Sequence, residues 1–252
     1  FVIVKIPKRV TTPEQVRIEV ESSLTKLNRK KANLLMLHWP CDVIDSGSLQ
    51  SVWGEMEKCI TEYQLCESIG VCNFSIPALR VLLQFCSISP CVNQIERHPL
   101  LPQAELLLFC TNQGISIQAH TPLGGQIGKK TLLQENDTIR TISRDTKLSP
   151  AQVVLLWNLQ QGVAVVPKCS TKEHMREIIS IVHHKTKDNN HTTTMKNKSK
   201  KSVTQLPVHQ YQQKYQLLLP EHMRVLDNLK EPKKRFVSPP FMFPRKVQPY
   251  SW

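Results

Sequence analysis

The feature that most constrains the fold of this chain is a regular alternation of short apolar runs with longer segments of helical period. Each run is rich in Val and Ile and nearly apolar throughout, which is typical of parallel strands that are covered on both faces. The segments between the runs are long enough to form crossover helices. Six strands are predicted, at residues 1–5, 33–38, 68–72, 91–96, 115–120 and 163–167.

Helix boundary signals support this alternation. The sequences TPEQ at 12–15 and SPAQ at 149–152 both fit a capping box, with proline at the first helical position, where no amide hydrogen is needed. Gly114 is predicted to end another helix in the left-handed conformation, just before a strand. The apolar residues of the first predicted helix fall on one face. They are Val16, Val20, Leu24 and Leu27.

Polar side chains interrupt the apolar pattern at the carboxyl ends of the predicted strands. In a parallel barrel these ends and the loops after them form one mouth, so residues far apart in sequence converge there. An open doubly wound sheet would need a glycine-rich phosphate turn, and no GxGxxG sequence occurs in the chain. We therefore predict an α/β fold of the (β/α)8 TIM-barrel type. The polar strand-end residues are Lys5, His38, Asn73, Gln94, His120 and Lys168.

The predicted domain organisation follows from the number of strands. Six strands do not close a barrel that needs eight, so two βα units are predicted to be missing before the first residue. We predict one domain over residues 1–252, incomplete at its N-terminus. Within it, residues 183–210 are polar and rich in Lys and His, which predicts a disordered insertion. Residues 230–252 are predicted to form a C-terminal loop or tail.

Composition and charge exclude several classes of function. The net charge is +13, from 33 basic and 20 acidic residues, but six lysines lie together between Lys185 and Lys201. This stretch has no stacking aromatic residues, so no nucleic-acid partner is predicted. No apolar run approaches the roughly 18 residues that span a bilayer, so no membrane partner is predicted. Eight cysteines without a CxxC pair predict reduced thiols in a cytoplasmic protein and no metal site.

Seven segments, in order, resemble the motifs of the aldo-keto reductases, which are barrel oxidoreductases that use NADPH. The resemblance covers roughly residues 1–181 together with the helix and tail from residue 219. It implies that NADPH lies across the mouth and passes a hydride to an aldehyde or ketone. The segments are LLMLHWP (34–40), ESIGVCNFS (67–75), VNQIERHPLLPQ (92–103), GISIQAHTPLGG (114–125), SPAQVVLLWNLQQG (149–162), VVPKCSTKEHMREI (165–178) and LPEHMRVLDNL (219–229).

The resemblance implies catalytic roles for two residues of this chain, Lys5 and His38. Hydride addition builds negative charge on a carbonyl oxygen, so a nearby group must donate a proton or a strong hydrogen bond. In this family a tyrosine does so. A tyrosine with its usual pKa of about 10 is a poor acid until a cation, here Lys5, lowers that pKa. The family's tyrosine and aspartate belong before the first residue, so the chain alone is expected to be inactive.

The resemblance also implies a set of NADP(H) contacts. Asn73 and Gln94 match the pair that clamps the nicotinamide carboxamide, a planar group that needs donors and acceptors. Lys168 matches the lysine that contacts the 2′-phosphate of NADPH. His120 stands where a stacking tyrosine is usual, and His174 stands where a phosphate-binding arginine is usual. The full implied set is Cys72, Asn73, Gln94, His120, Thr121, Leu123, Lys168, Cys169, Thr171, His174 and Glu177.

Two functions from different classes remain open on the sequence alone. The first is an NADPH-dependent reductase of small-molecule carbonyl compounds. The second is a catalytically dead relative that acts as a nucleotide- or protein-binding module, which the departures at Cys72, His120 and His174 favour. A Cys/His nucleophile built from Cys72 or Cys91 lacks an orienting Asn or Asp nearby. The sequence sets neither the carbonyl substrate nor the oligomeric state.

Overall fold

A computed structural model of the chain describes residues 1–127, 130–131, 133, 136–183, 217–229 and 235–237. Its centre is a parallel sheet of six strands that curls into a half-barrel. A short antiparallel hairpin, formed by β6 (Gln126–Ile127) and β7 (Lys130–Thr131), stands apart from this sheet. The six parallel strands are β1 (Ile3–Ile6), β2 (Leu34–Leu37), β3 (Ile69–Cys72), β4 (Val92–Glu96), β5 (Ser116–His120) and β8 (Ala164–Val166).

The strand order confirms the predicted barrel type. Neighbours run in the order β1-β2-β3-β4-β5-β8, and every pair is parallel. All six predicted strands are present, each within two residues of its predicted bounds. Strands β1 and β8 lie at the two ends of the sheet. The described sheet therefore has six of the eight strands that a closed barrel of this type contains.

Helices lie between the strands and cover the outer face of the sheet. The helix predicted near residues 220–229 is confirmed. The helices are α1 (Pro13–Lys26), α2 (Cys41–Asp45), α3 (Leu49–Thr61), α4 (Ile76–Leu83), α5 (Ala104–Asn112), α6 (Asp137–Thr146), α7 (Pro150–Leu159), α8 (Lys172–His183) and α9 (Pro220–Asp227).

The two predicted capping boxes have different outcomes. At α7 the box is complete, because the N–H of Gln152 donates to the Ser149 hydroxyl and the Gln152 amide oxygen accepts from the Ser149 N–H. At α1 the Thr12 hydroxyl accepts from the N–H of Gln15. The Gln15 side chain, however, accepts from the N–H of Thr11 rather than from that of Thr12. The prediction at α1 is therefore right for the cap and wrong for the reciprocal bond.

The end of α1 corrects a second expectation. Val16, Val20 and Leu24 are buried as predicted, but Leu27 is 50% exposed. Leu27 follows the last residue of α1, and Asn28 then turns the chain in the left-handed conformation with φ of 50°. The apolar stripe therefore ends one turn earlier than its spacing predicts. Gly114 adopts φ of 69° after α5, which confirms the predicted left-handed helix end.

Three apolar clusters hold the described residues together. The largest lies between the sheet and helices α1, α3, α4 and α5. The second joins α6, α7, α8 and α9 and contains Trp157. The third is small and consists of Leu34, Met36 and Cys72 on β2 and β3. No helix in the described ranges is long and apolar enough to cross a membrane. The predicted insertion at 183–210 lies outside the described residues except for His183, which ends α8, and the predicted tail at 230–252 does so except for residues 235–237.

Candidate functional site

Strand-end residues that are distant in sequence form a hydrogen-bonded chain at the mouth of the sheet. The Nζ of Lys5 in β1 donates to the Oε1 of Gln94 in β4 at 2.6 Å, across 89 residues of sequence. The amide nitrogen of Gln94 in turn donates to the amide oxygen of Gln118. Gln94 and Gln118 are paired in the β4–β5 register, so their side chains lie on the same face. The structure therefore brings β1, β4 and β5 together through polar side chains.

A second network joins β2, β3 and β5. The Nδ2 of Asn73 donates to the carbonyl oxygen of His38 at 3.2 Å, and the Oδ1 of Asn73 lies 3.1 Å from the Nε2 of His120. Because an amide oxygen can only accept, Nε2 of His120 donates. Its Nδ1, 3.0 Å from the Thr121 hydroxyl oxygen, then accepts from that hydroxyl in the neutral ring. Asn73 and Thr121 both adopt the left-handed conformation, with φ of 60° and 51°, which is less common for a β-branched residue such as Thr121 than for an asparagine.

The two histidines of the site are held in the neutral form. Burial lowers the pKa of His120 to about 4, and the charge of Lys5 adds to this effect while the charge of Glu96 opposes it. Burial, with a smaller contribution from the charge of Lys5, also lowers the pKa of His38. At neutral pH His120 therefore places no cation at the mouth. His38 can donate a hydrogen bond without carrying a charge.

The charge state of His120 predicts a pH dependence of stability. Its usual pKa of 6.5 lies above its folded value of about 4, so the unfolded chain binds this proton first as the pH falls. The free energy of unfolding therefore falls as the pH is lowered from 6.5 towards 4. We expect His120 to account for a loss of about 2 kcal/mol between about pH 7 and about pH 4.5. Urea unfolding at both pH values measures it. In His120→Asn the fall should be smaller by that amount, and an equal fall in both proteins would contradict the assignment.

Cys72, at the carboxyl end of β3, and Cys91, which precedes β4 at the opposite end of the sheet, are both protonated thiols. Cys72 has no exposed surface and packs with Leu34 and Met36. Burial raises the pKa of Cys72 to about 11, against the opposing charge of Lys5. Burial also raises the pKa of Cys91. Neither thiol supplies a thiolate at neutral pH, which removes support from a Cys/His nucleophile.

The remaining implied cofactor residues follow β5 and β8. Val166 is paired with His120, so Lys168, two residues further on, extends beyond the same edge of the sheet and is exposed. Thr171 accepts through its hydroxyl from the N–H of His174 at 3.1 Å, at the start of α8. Leu123 packs against the apolar cluster that contains Trp157. Cys169 is a half-buried free thiol. Glu177 accepts a hydrogen bond from the Ser149 hydroxyl.

The amides at the mouth leave hydrogen-bonding capacity for a planar polar ligand. A side-chain amide has two donor hydrogens and two acceptor lone pairs. In the described part of the chain, Asn73 uses one of each with His38 and His120. Gln94 uses one of each with Lys5 and Gln118. Each amide therefore keeps one donor and one acceptor, which is what a carboxamide requires.

Three residues of this region were not identified from the sequence. Gln118 had a usable signal, because it lies two residues before His120 on the same strand and therefore on the same face. Glu96 ends β4 and Arg97 follows it, and both are buried charged residues. Besides the nearby partners Pro102 and His98, their partners at Asn158, Gln161 and residues 235–237 lie more than 60 residues away, so local sequence carries no signal for these distant contacts.

The fold and the mouth define an α/β barrel-type protein with a polar site at the strand ends, and comparison with known proteins gives its family. The model described as "Aldo/keto reductase family" matches residues 1–199. The chain is 32% identical over 207 residues to a glycerol 2-dehydrogenase (NADP(+)) of Hypocrea jecorina, covering 72% of this chain and 64% of that protein. It is 38% identical over 166 residues to a methylglyoxal reductase of Yersinia pestis, covering 66% and 58%.

Solved structures agree. An aldose reductase from Schistosoma japonicum matches with a TM-score of 0.73 at 26% identity, covering 96% of this chain and 72% of that one. An aldose reductase from Giardia lamblia matches with a TM-score of 0.66 at 27% identity, covering 74% and 68%. This chain belongs to the aldo/keto reductase family. It spans 64% and 58% of the lengths of the two curated relatives named above.

Proposed function

We propose that this chain carries the cofactor-binding part of a cytoplasmic, NADP(H)-dependent oxidoreductase that reduces small aldehydes or ketones to alcohols. The observation that carries the proposal is the presence at one mouth of two hydrogen-bonded networks, one joining Lys5 to Gln94 and the other joining Asn73 to His120. A structural scaffold has no need of a lysine, two amides and two neutral histidines at one place. The names of the relatives supply the substrate class, since they include an NADP(+)-dependent dehydrogenase and a methylglyoxal reductase. All eight cysteines are free thiols, which supports a reducing compartment.

Each side chain of the mouth has a distinct proposed role. NADPH, when bound, supplies the hydride. Asn73 and Gln94 orient the carboxamide with the donor and acceptor that each has left. His38, neutral because burial lowers its pKa, donates a hydrogen bond to the substrate carbonyl oxygen. The ammonium group of Lys5 would lower the pKa of the family's tyrosine, which donates the proton that converts the oxygen into the alcohol hydroxyl.

A second candidate is the catalytically dead relative, which is favoured by departures from the family's usual residues at three proposed cofactor positions, Cys72, His120 and His174. His174 also lacks the bidentate geometry of the arginine that is usual at its position. The dead relative would bind either the nucleotide or a protein partner, so nucleotide binding alone does not separate the two candidates. We propose that the chain by itself is inactive in either case.

The cofactor assignment predicts a large effect of Lys168. Replacing the exposed Lys168 by alanine removes a charge-assisted contact with the 2′-phosphate, and we expect NADPH binding to weaken about 10- to 100-fold. Titration of nicotinamide fluorescence measures the dissociation constant. Lys172→Ala, the same change on an exposed residue of α8, is the matched control and should bind as the wild type does. Equal NADPH affinities in the two variants would show that Lys168 does not contact the cofactor.

A chimaera separates the two candidates. We would attach the two N-terminal βα units of the Yersinia pestis methylglyoxal reductase to residue 1 of this chain. The enzyme candidate predicts methylglyoxal-dependent oxidation of NADPH that falls at least about 100-fold in Lys5→Met, since without this cation the tyrosine of the attached units is a poor proton donor. A chimaera that folds and binds NADPH without turnover would establish the dead relative instead.

A further inference from the structure

The carboxylate of Glu96 has partners that the proposed reaction does not use. Glu96 ends β4 and has no exposed surface. Its Oε1 accepts from the backbone N–H of Phe236 at 2.6 Å, and its Oε2 accepts from the backbone N–H of Val237 at 3.0 Å. The guanidinium of Arg235 lies 3.9 Å from Oε2. A single buried side chain thus holds three consecutive residues that lie 140 positions further along the chain.

The contacts keep this carboxylate ionised in spite of its burial. Burial opposes ionisation of Glu96, but hydrogen bonds from His98 and from the backbone of Phe236 and Val237 outweigh it, so the pKa of Glu96 lies below its usual value. The Nε2 of His98, 3.1 Å from Oε1, donates the first of these bonds. Bonds from N–H groups to a charged acceptor are about twice as strong as those to a neutral one.

The ring of Phe236 connects this contact to the loop that follows β5. It meets the ring of His98 edge-on, with centroids 5.2 Å apart. The ring also lies against Gly125, where an added Cβ would stand 2.8 Å from both the Cγ and the Cδ1 of Phe236. At Gly124 an added Cβ would stand 3.1 Å from the ring. These two glycines let the ring pack on the loop backbone.

We propose that Glu96 is a positioning residue that holds residues 235–237, the strap, against residues 121–125, the mouth loop, so that the two segments are ordered together. Glu96 fixes the backbone of the strap, and Phe236 transmits that order to the mouth loop. The mouth loop contains Thr121, which bonds His120. A mouth loop that is already ordered loses less entropy when it contacts NADPH, and this last step rests on the proposed function.

Hydrogen exchange followed by mass spectrometry tests the first half of the proposal. In Glu96→Gln an NH2 group replaces one acceptor oxygen and faces an N–H that it cannot accept from. We expect the strap amides to exchange at least about tenfold faster, and the mouth-loop amides to exchange faster with them. Glu105→Gln, the same change on an exposed residue of α5, should leave both segments unchanged. Faster exchange confined to the strap would overturn the coupling, and unchanged exchange in the strap would overturn the role of Glu96.

A second variant tests the link through the ring, in case the first fails to fold. Phe236→Ala keeps both backbone N–H groups that Glu96 holds but removes the ring atoms that lie against Gly124 and Gly125. We expect the strap amides to stay protected while the mouth loop exchanges several-fold faster, and Phe236→Leu to restore most of the protection. A mouth loop that exchanges at the wild-type rate in Phe236→Ala would overturn the proposal.

NADPH titration then separates the strap from the proposed function. If the wild type binds, Glu96→Gln and Phe236→Ala should both weaken binding several-fold. Wild-type affinity in both variants would overturn the link between strap and cofactor. If the wild type does not bind, the proposed function fails, while the exchange rates still decide whether Glu96 orders the mouth loop.

Discussion

Replacement of Arg97 by alanine is expected to lower the free energy of unfolding by about 4 kcal/mol. Arg97 is 1% exposed, and its guanidinium makes three hydrogen bonds. Its Nε donates to the carbonyl oxygen of Pro102 at 2.9 Å, its Nη1 to the Oδ1 of Asn158 at 2.5 Å, and its Nη2 to the Oε1 of Gln161 at 2.7 Å. Alanine would leave three buried or half-buried acceptors without this donor.

Because of its surroundings, replacing Arg97 is expected to cost more stability than replacing an ordinary surface arginine. The guanidinium lies 4.1 Å from the ring centroid of Trp157, which adds an attraction between the cation and the ring. Burial lowers the pKa of Arg97 to about 10, and the charge of Asp227 opposes this shift. Arg97 therefore stays charged at neutral pH. Since Asp227 also accepts from the Nε1 of Trp157 at 2.8 Å, these three residues join the end of β4 to α7 and α9.

Urea unfolding followed by tryptophan fluorescence measures the effect as a change in midpoint at constant slope. Arg97→Lys should recover only part of the loss, because an ammonium group lacks the planar fork that reaches three acceptors. Arg80→Ala is the matched control, since Arg80 is exposed and lies 5.7 Å from the ring of Phe109. We expect less than about 1 kcal/mol there. If both alanine variants lose a comparable free energy of unfolding, the buried hydrogen bonds of Arg97 do not contribute to stability.

The strands were predictable because each one carries its own signal. A run of apolar, β-branched residues between turn residues predicts a buried strand wherever it occurs, and all six such runs form strands. The predicted burial on both faces is wrong for β8 at the end of the sheet, where Val166 is 43% exposed. The caps of α1 and α7 were predictable for the same reason. The capping box predicted at α1 is wrong in its second hydrogen bond. The backbone N–H groups of Thr11 and Thr12 are both candidates to donate to the Gln15 side chain, and the sequence of two adjacent threonines does not decide between them.

The location of the site was predictable, but the hydrogen-bond partners of its side chains were not. The carboxyl ends of parallel strands meet at one edge, so Lys5, Gln94 and His120 had to lie near one another. That Lys5 would donate to Gln94 depends on the curvature of the sheet between β1 and β4, which no local pattern encodes. The neutral state of His120 likewise depends on burial by the rest of the fold. The cofactor roles of these residues remain predictions for the titrations above.

Replacement of Gly70 by alanine is the second variant with a large expected effect, a loss of about 3 kcal/mol. Gly70 lies in β3, and an added Cβ would stand 2.8 Å from the backbone carbonyl oxygen of Val92 in β4. It would also stand 3.4 Å from the side chain of Leu34 in β2. Because the nearest atom belongs to the backbone of a paired strand, the overlap is relieved only if β3 and β4 move apart.

The position of Gly70 links this loss of stability to the mouth. Cys72 is paired with Gln94 in the β3–β4 register, and Asn73 follows directly. Separating the two strands therefore moves Asn73 away from Gln94, the two amides that are proposed to hold one carboxamide. We expect Gly70→Ala to weaken NADPH binding at least about tenfold, because well-oriented amide contacts are lost within a small displacement.

Gly54→Ala is the control that isolates the close approach from the loss of a glycine as such. Gly54 lies in α3 with no neighbouring atom within 4 Å of an added Cβ, so the same chemical change should stabilise the protein by up to about 1 kcal/mol. The two variants should thus shift the urea midpoint in opposite directions. If Gly70→Ala instead behaves like Gly54→Ala, β3 and β4 can separate without cost, and the spacing of Asn73 and Gln94 is then not set by the sheet. If Gly70→Ala loses stability but keeps its affinity for NADPH, the two amides do not form the carboxamide site, and Lys168 and the mouth loop must carry binding without them.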